Sequence, residues 1–287
     1  MEHGGPGDGR VSTVTLSTRV GKQVGRGVSV IVQRWLLFVV LVGVWEVATR
    51  LSASPFFPPP SKIAVAAADL WFTGPAGHLF LTDAVFDYVF PSLGRTLGGW
   101  AVSGVIAIAL GILIGRSRVA MEFVNPLFTF FRSIPPPLLI PVFITLFGLG
   151  PGMQTGSIIF GAIWPVLLNA VDGARSVDQV KLETARSLRT PRAYWIGMVV
   201  LPAAAPKIFA GLRLSLSISL LLMVISEFQG YSQGMGRALI NAQLDFNLPA
   251  MWAWIVLLGV LGYLLNSVFL AAERRVLAWQ PTRLGRE

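Results

Sequence analysis

The residues best placed to do chemistry lie in one polar stretch, Glu183-Thr184-Ala185-Arg186-Ser187-Leu188-Arg189, with Val199-Val200-Leu201-Pro202 following after nine residues. Charged groups held at helical spacing between two apolar runs can dock on a soluble partner. Ser176-Val177-Asp178-Gln179 has the composition of a capping box, with Ser176 as the cap. Thr190 precedes Pro191, which disfavours further helix. The spacing predicts a helix over 177–189. Val177, Val180, Thr184 and Leu188 fall on one face; Asp178, Glu183, Arg186 and Arg189 fall elsewhere. A second short helix is expected over 192–200, ended by Pro202. On these residues alone two readings stay open: a loop flat on lipid headgroups, with its arginines on anionic lipid, and a knob that docks on a partner.

Catalytic chemistry has little to draw on. The absence of cysteine excludes disulfides, thiolate metal sites and cysteine nucleophiles. Imidazole could come only from His3, in a tail, and His78, in a loop, so no metal site is expected. None of Lys22, Lys62, Lys181 and Lys207 stands in a phosphate-loop pattern. No H-E-x-x-H or G-x-S-x-G occurs. The acids within apolar runs reduce to Glu46 and Glu227. Glu46 stands one turn before Arg50, which reads as an i,i+4 pair near the membrane interface. Arg95, Arg132 and Arg213 could attract an anion, though each also has a structural reading.

These residues are carried by a chain that is 54% hydrophobic and 13% charged, where a soluble domain is about 25% charged. The apolar residues fall in long runs, so an all-α membrane protein with six transmembrane helices is expected. The runs are about 35–51, 96–115, 126–147, 153–171, 206–228 and 251–272. Residues 1–34 read as a disordered basic tail before an uncleaved first span at 35–51. Residues 52–91 read as an extracytoplasmic loop: four prolines break the chain within 55–60, 61–71 can form an interfacial amphipathic helix, and Asp69, Asp83 and Asp87 follow. Residues 92–273 form the core with the other five spans, including a polar loop at 172–205; 274–287 are a second tail.

Within the core, Gly94-x3-Gly98 and Gly111-x3-Gly115 would permit close helix approach. Pro135-Pro136-Pro137 and Pro141 must interrupt the third span. That break is read either as a kinked packing helix or as a wall of a substrate path, with Arg132, Pro135, Pro136 and Glu227 as candidate path residues.

Orientation follows from the basic residues. Seventeen lie on the side of both termini and the 172–205 loop, and only Arg50, Lys62, Arg95 and Arg237 on the other. The positive-inside rule puts both termini and that loop in the cytosol. It also accounts for the net charge of +9 without nucleic acid, for which no recognition module is present.

The polar stretch resembles the EAA loop of the membrane subunits of ABC importers, E-A-A-x3-G-x9-I-x-L-P. Glu183, Ala185, Leu201 and Pro202 match in register, and Val199 takes the Ile slot; Thr184 replaces an Ala and Arg189 replaces the Gly. A Gly there would serve a left-handed helix end, which costs Arg about 1–2 kcal/mol, so a differently shaped turn is expected. The segments 91–99, 132–136, 211–213, 226–228 and 234–236 are similar to the nitrate/sulfonate/taurine branch of these permeases.

The resemblance implies a type I ABC importer permease in the plasma or inner membrane. It implies ATPase contact through Glu183, Thr184, Ala185, Leu188, Arg189, Leu201 and Pro202. It further implies separate ATPase subunits that use the ATP, no cofactor on this chain, an extracytoplasmic substrate-binding protein, a second copy of the permease, and surrounding membrane lipid. The expected solute is a small anion such as nitrate, a sulfonate or taurine. The competing readings are a stand-alone secondary transporter or channel, which would need coupling acids and inverted repeats in its spans, and a scaffold without transport.

Overall fold

The computed structural model describes residues 17–229 and 233–279, which contain helices and turns but no strand. The chain divides into two units, 1–62 and 63–287.

In the first unit, helix α1 spans Ser17–Ser52 and holds the apolar run Trp35–Ser52. Residues 17–34, part of the expected tail, stand in this helix; residues 1–16 lie outside the described residues. A long apolar helix is already nucleated, and each residue added to its end costs only propagation. Glu46 pairs with Arg50 as expected, at 2.6 Å. It also accepts from the Ser61 backbone N–H at 3.0 Å and from Ser61 Oγ at 2.8 Å. Ser61 opens α2 (Pro60–Trp71), so the carboxylate sits where unsatisfied helical N–H groups favour an anion.

In the second unit, α3 (Phe90–Gly115), α6 (Pro151–Arg175) and α9 (Leu201–Gln229) form the packed centre. Ala107, Phe128, Val166, Leu167 and Val171 make one buried cluster there. The helices meet through glycine. A Cβ at Gly111 would lie 2.5 Å from Ala170 Cβ, and one at Gly115 would lie 2.7 Å from the Val171 carbonyl. Gly94 and Gly98 face open space, and Gly99, against Ile158, takes the expected role. Large apolar side chains such as Val105, Leu113 and Phe123 are exposed outward, as lipid contact requires.

The proline-rich third span starts earlier than expected and is broken. α4 covers Arg118–Ser133 and α5 covers Ile140–Phe147, joined by a 3₁₀ turn at Pro136–Leu139. The pair bends by 85°. Ile134 and Pro135 are extended, because a residue before proline is pushed out of the helical region. Among the described residues, five helices are long and apolar enough to cross a membrane, or six if the bent pair is one span.

The polar stretch holds α7 (Gln179–Ser187) and α8 (Arg192–Trp195). After α8, a π turn at Ile196–Val200 runs directly into α9, giving one 38-residue helical segment, Arg192–Gln229. The expected end at Pro202 is thus corrected. A proline inside a helix removes one N–H from the ladder, and the π turn just before Pro202, where the Leu201 N–H reaches back to the Ile196 carbonyl, absorbs that offset. α10 (Met235–Leu244), which no sequence signal foretold, packs between α9 and α11 (Leu248–Val276).

Candidate functional site

α7 stands on a rigid base. At the end of α6, Gly173 leaves room for Ala204 of α9, whose Cβ would lie 2.8 Å from a Cβ at the glycine. Lys207 Nζ donates to the Asp172 carbonyl at 3.1 Å, and an Arg116 guanidinium N–H donates to the Ala174 carbonyl at 3.3 Å. Ile112, Ala174 and Val200 form a buried cluster that Val177 packs against. The ends of α3, α6 and α9 are therefore fixed together where the polar stretch leaves the bundle.

The helix start differs from the expected capping box. Ser176 belongs to the end of α6, where its hydroxyl donates to the Gly173 carbonyl at 2.9 Å. Asp178 is the cap: its Oδ1 accepts from the Val180 N–H at 3.0 Å. α6 simply runs four residues past the end expected for its span, to Arg175, and absorbs the serine.

The helix end is left-handed, the shape a glycine would serve. Arg189 adopts φ +50°, the left-handed conformation of the replaced glycine. The Thr190 N–H reaches back to the Ala185 carbonyl at 3.0 Å, the 6→1 bond of a Schellman motif. The expected change of turn shape does not occur, because the following backbone bond and Pro191 hold the left-handed residue in place.

Val180 is 66% exposed and Leu188 74% exposed. Glu183 and Thr184 are exposed between them, and Ala185 is half-buried. Of the expected apolar face, only Val177 packs inward. Leu201 and Pro202 lie in the continuing helix, partly exposed beside buried Val200 and Ala204.

The candidate path residues fall in two separate places. Arg132, in the last turn of α4, is exposed, and so is Pro135. Pro136 leans on α6, its ring 3.3 Å from where a Gly161 Cβ would be. Glu227 is fully buried. It accepts from Ser92 Oγ at 2.6 Å, Arg95 at 2.7 Å and the Gly236 N–H at 2.8 Å. Ser92 in turn accepts from the Met235 N–H at 2.9 Å. Three sequence segments that carry the resemblance, 91–99, 226–228 and 234–236, thus converge on one carboxylate. Arg213 pairs with Glu273 of α11 at 3.1 Å.

The sequence of residues 107–278 matches the family of binding-protein-dependent transport system inner membrane components. Relatives include a protein of Bacillus subtilis strain 168 named as an aliphatic sulfonates transport permease, SsuC; it is 30% identical over 252 residues, 87% of this chain and 88% of its own length. The taurine transport system permease protein TauC of Escherichia coli strain K12 is 29% identical, over 85% of this chain and 87% of its own. The nitrate import permease protein NrtB of Leptolyngbya laminosa is 28% identical, over 88% and 90%. In fold, the chain is similar to the inward-facing MetNI methionine ABC transporter, with a TM-score of 0.57 and 20% identity over 67% of this chain and 93% of that one. The chain belongs to the binding-protein-dependent transport system inner membrane components, the non-catalytic, multi-pass permease subunits of ABC importers.

Proposed function

We propose that this permease forms the path for a small anion and couples it to ATP hydrolysis on a separate chain through residues 176–202. The observation that carries the reading is the surface of α7: Val180 and Leu188 are exposed on an ordered helix beside Glu183, while the base of that helix is fixed to α3, α6 and α9. An apolar row left uncovered on a helix of this kind is a docking face for another protein's groove. Val180, Thr184 and Leu188 form that face, with Glu183 beside it, Ala185 and Arg189 at its edge, and Leu201 and Pro202 at its root.

ATPase closure would draw two such loops together. Because the base is stiff, the displacement passes to α6 and α9 as whole helices, which switches access to the path. This requires a second copy of the permease, lipid around its apolar exterior, both termini on the ATPase side, and a binding protein that delivers solute on the other. The broken α4–α5 turn with Arg132, Pro135 and Pro136 lines the path, and Glu227 holds its outer end. The solutes named for the relatives, aliphatic sulfonates, taurine with its sulfonate group, and nitrate, support the anion class.

Glu183→Lys tests the coupling. The variant is expected to insert normally but to lose its co-expressed ATPase during purification. Co-purification at the wild-type yield would overturn the reading.

A further inference from the structure

We infer that a cavity beneath α7 seats the phosphate of an anionic phospholipid, and so ties the coupling segment to the membrane surface. The inference rests on the reading of 176–202 as the coupling segment.

The cavity has a volume of about 700 Å³, and its lining includes Arg116, Arg189, Arg192, Ser117, Thr190 and Trp195. None of the described lining residues is acidic. Arg189 and Arg192 are exposed and form no ion pair among the described residues; Arg116 is half-buried, with the Ala174 carbonyl as its recorded acceptor. Three arginines around one cavity set up a positive potential that favours an anion. The planar forks of arginine match phosphate oxygens in pairs.

Position selects the source of that phosphate. Arg116 directly follows the apolar segment Val85–Gly115, and Arg192 opens the apolar segment Arg192–Gln229. The cavity therefore opens where the apolar run of α3 ends, the boundary between hydrocarbon and headgroups for that helix, and Trp195 and Ile196 pack beside Ile112 there. Its wall is half apolar: Leu113, Trp195 and Ile196 line it beside the arginines. Tryptophan favours this boundary, and a basic pocket between spans at such a face suits an anionic headgroup. A free phosphate would have no use for the apolar side. One lipid phosphate here would bridge α3 through Arg116, the α7 turn through Arg189 and the start of α8 through Arg192.

The test uses the permease purified with its ATPase in detergent, titrated with dioleoyl phosphatidylglycerol or dioleoyl phosphatidylcholine and read by native mass spectrometry. The wild type is expected to retain phosphatidylglycerol in preference. Arg116→Gln with Arg192→Gln should lose that preference, by about fivefold for each arginine. Arg116→Lys with Arg192→Lys should keep most of it, which separates loss of charge from loss of fold. Equal retention by the Gln variant overturns the proposal. So does displacement of the lipid by inorganic phosphate alone, which would make the site one for a free ion. Loss of the lipid whenever the ATPase is bound would also overturn it, by assigning the arginines to an acidic ATPase surface. A coupling reading that fails would show in the ATPase yield of Glu183→Lys, not in lipid retention.

Discussion

Gly234 and Glu227 touch so closely that the glycine has no room for a side chain: a Cβ there would lie 2.3 Å from the Glu227 carboxyl carbon. Gly234 also holds φ +136°, which residues with a Cβ rarely adopt. The glycine lets the chain before α10 fold over the buried carboxylate, and Arg95 and Ser92 reach it from α3. Gly234→Ala should therefore open the cluster. Arg95→Met should leave Glu227 buried and unpaired, a loss of about 3–5 kcal/mol. Both are measured as a fall in thermal unfolding temperature of the detergent-purified protein; an unchanged midpoint in either would refute the clamp.

The glycines of α3 divide into two classes. Gly111 abuts Ala170, so Gly111→Val should overpack the α3–α6 contact and cost about 1–3 kcal/mol. Gly98 faces open space, so Gly98→Val should change stability by no more than about 0.5 kcal/mol. Thermal unfolding of the two variants side by side checks this, and equal midpoints would contradict the packing.

The sequence made the spans and the polar stretch legible, because each is a local pattern of hydropathy, proline and charge. What it left dark depends on residues far apart in the chain. Glycine spacing marked Gly94, Gly98, Gly111 and Gly115 alike, yet only the partner helix decides which of them is covered. The Ser92–Glu227–Gly236 bonds join residues more than 130 positions apart and residues across a turn, so no local pattern reveals them. Pro202 read as a stop, since its spacing does not show that a π turn precedes it. Ser176 read as a cap because a serine serves the end of one helix as well as the start of the next.

Leu188 is exposed and contributes little to the fold of this chain. Leu188→Asp should leave the unfolding midpoint of the permease within about 0.5 kcal/mol. It should nonetheless weaken ATPase retention, because a charge is then buried in an apolar groove. Pull-down yield against thermal midpoint separates the two effects. A large fall in midpoint with normal retention would mean that Leu188 packs within the permease instead.

Arg189 occupies a glycine's conformation with an arginine's side chain. The left-handed backbone costs about 1–2 kcal/mol, held by the Thr190 to Ala185 bond and by Pro191. Arg189→Gly removes that strain but frees the unfolded chain, which returns roughly 0.5–1 kcal/mol. The net expectation is a small gain in stability of α7, whereas Arg189→Val should lose stability, since a β-branched residue resists a positive φ. Amide hydrogen exchange over residues 179–188 reads this directly, because local opening sets its rate. Slower exchange in the glycine variant and faster exchange in the valine variant are expected. Equal rates in all three would mean that the turn is not held in the left-handed form in solution.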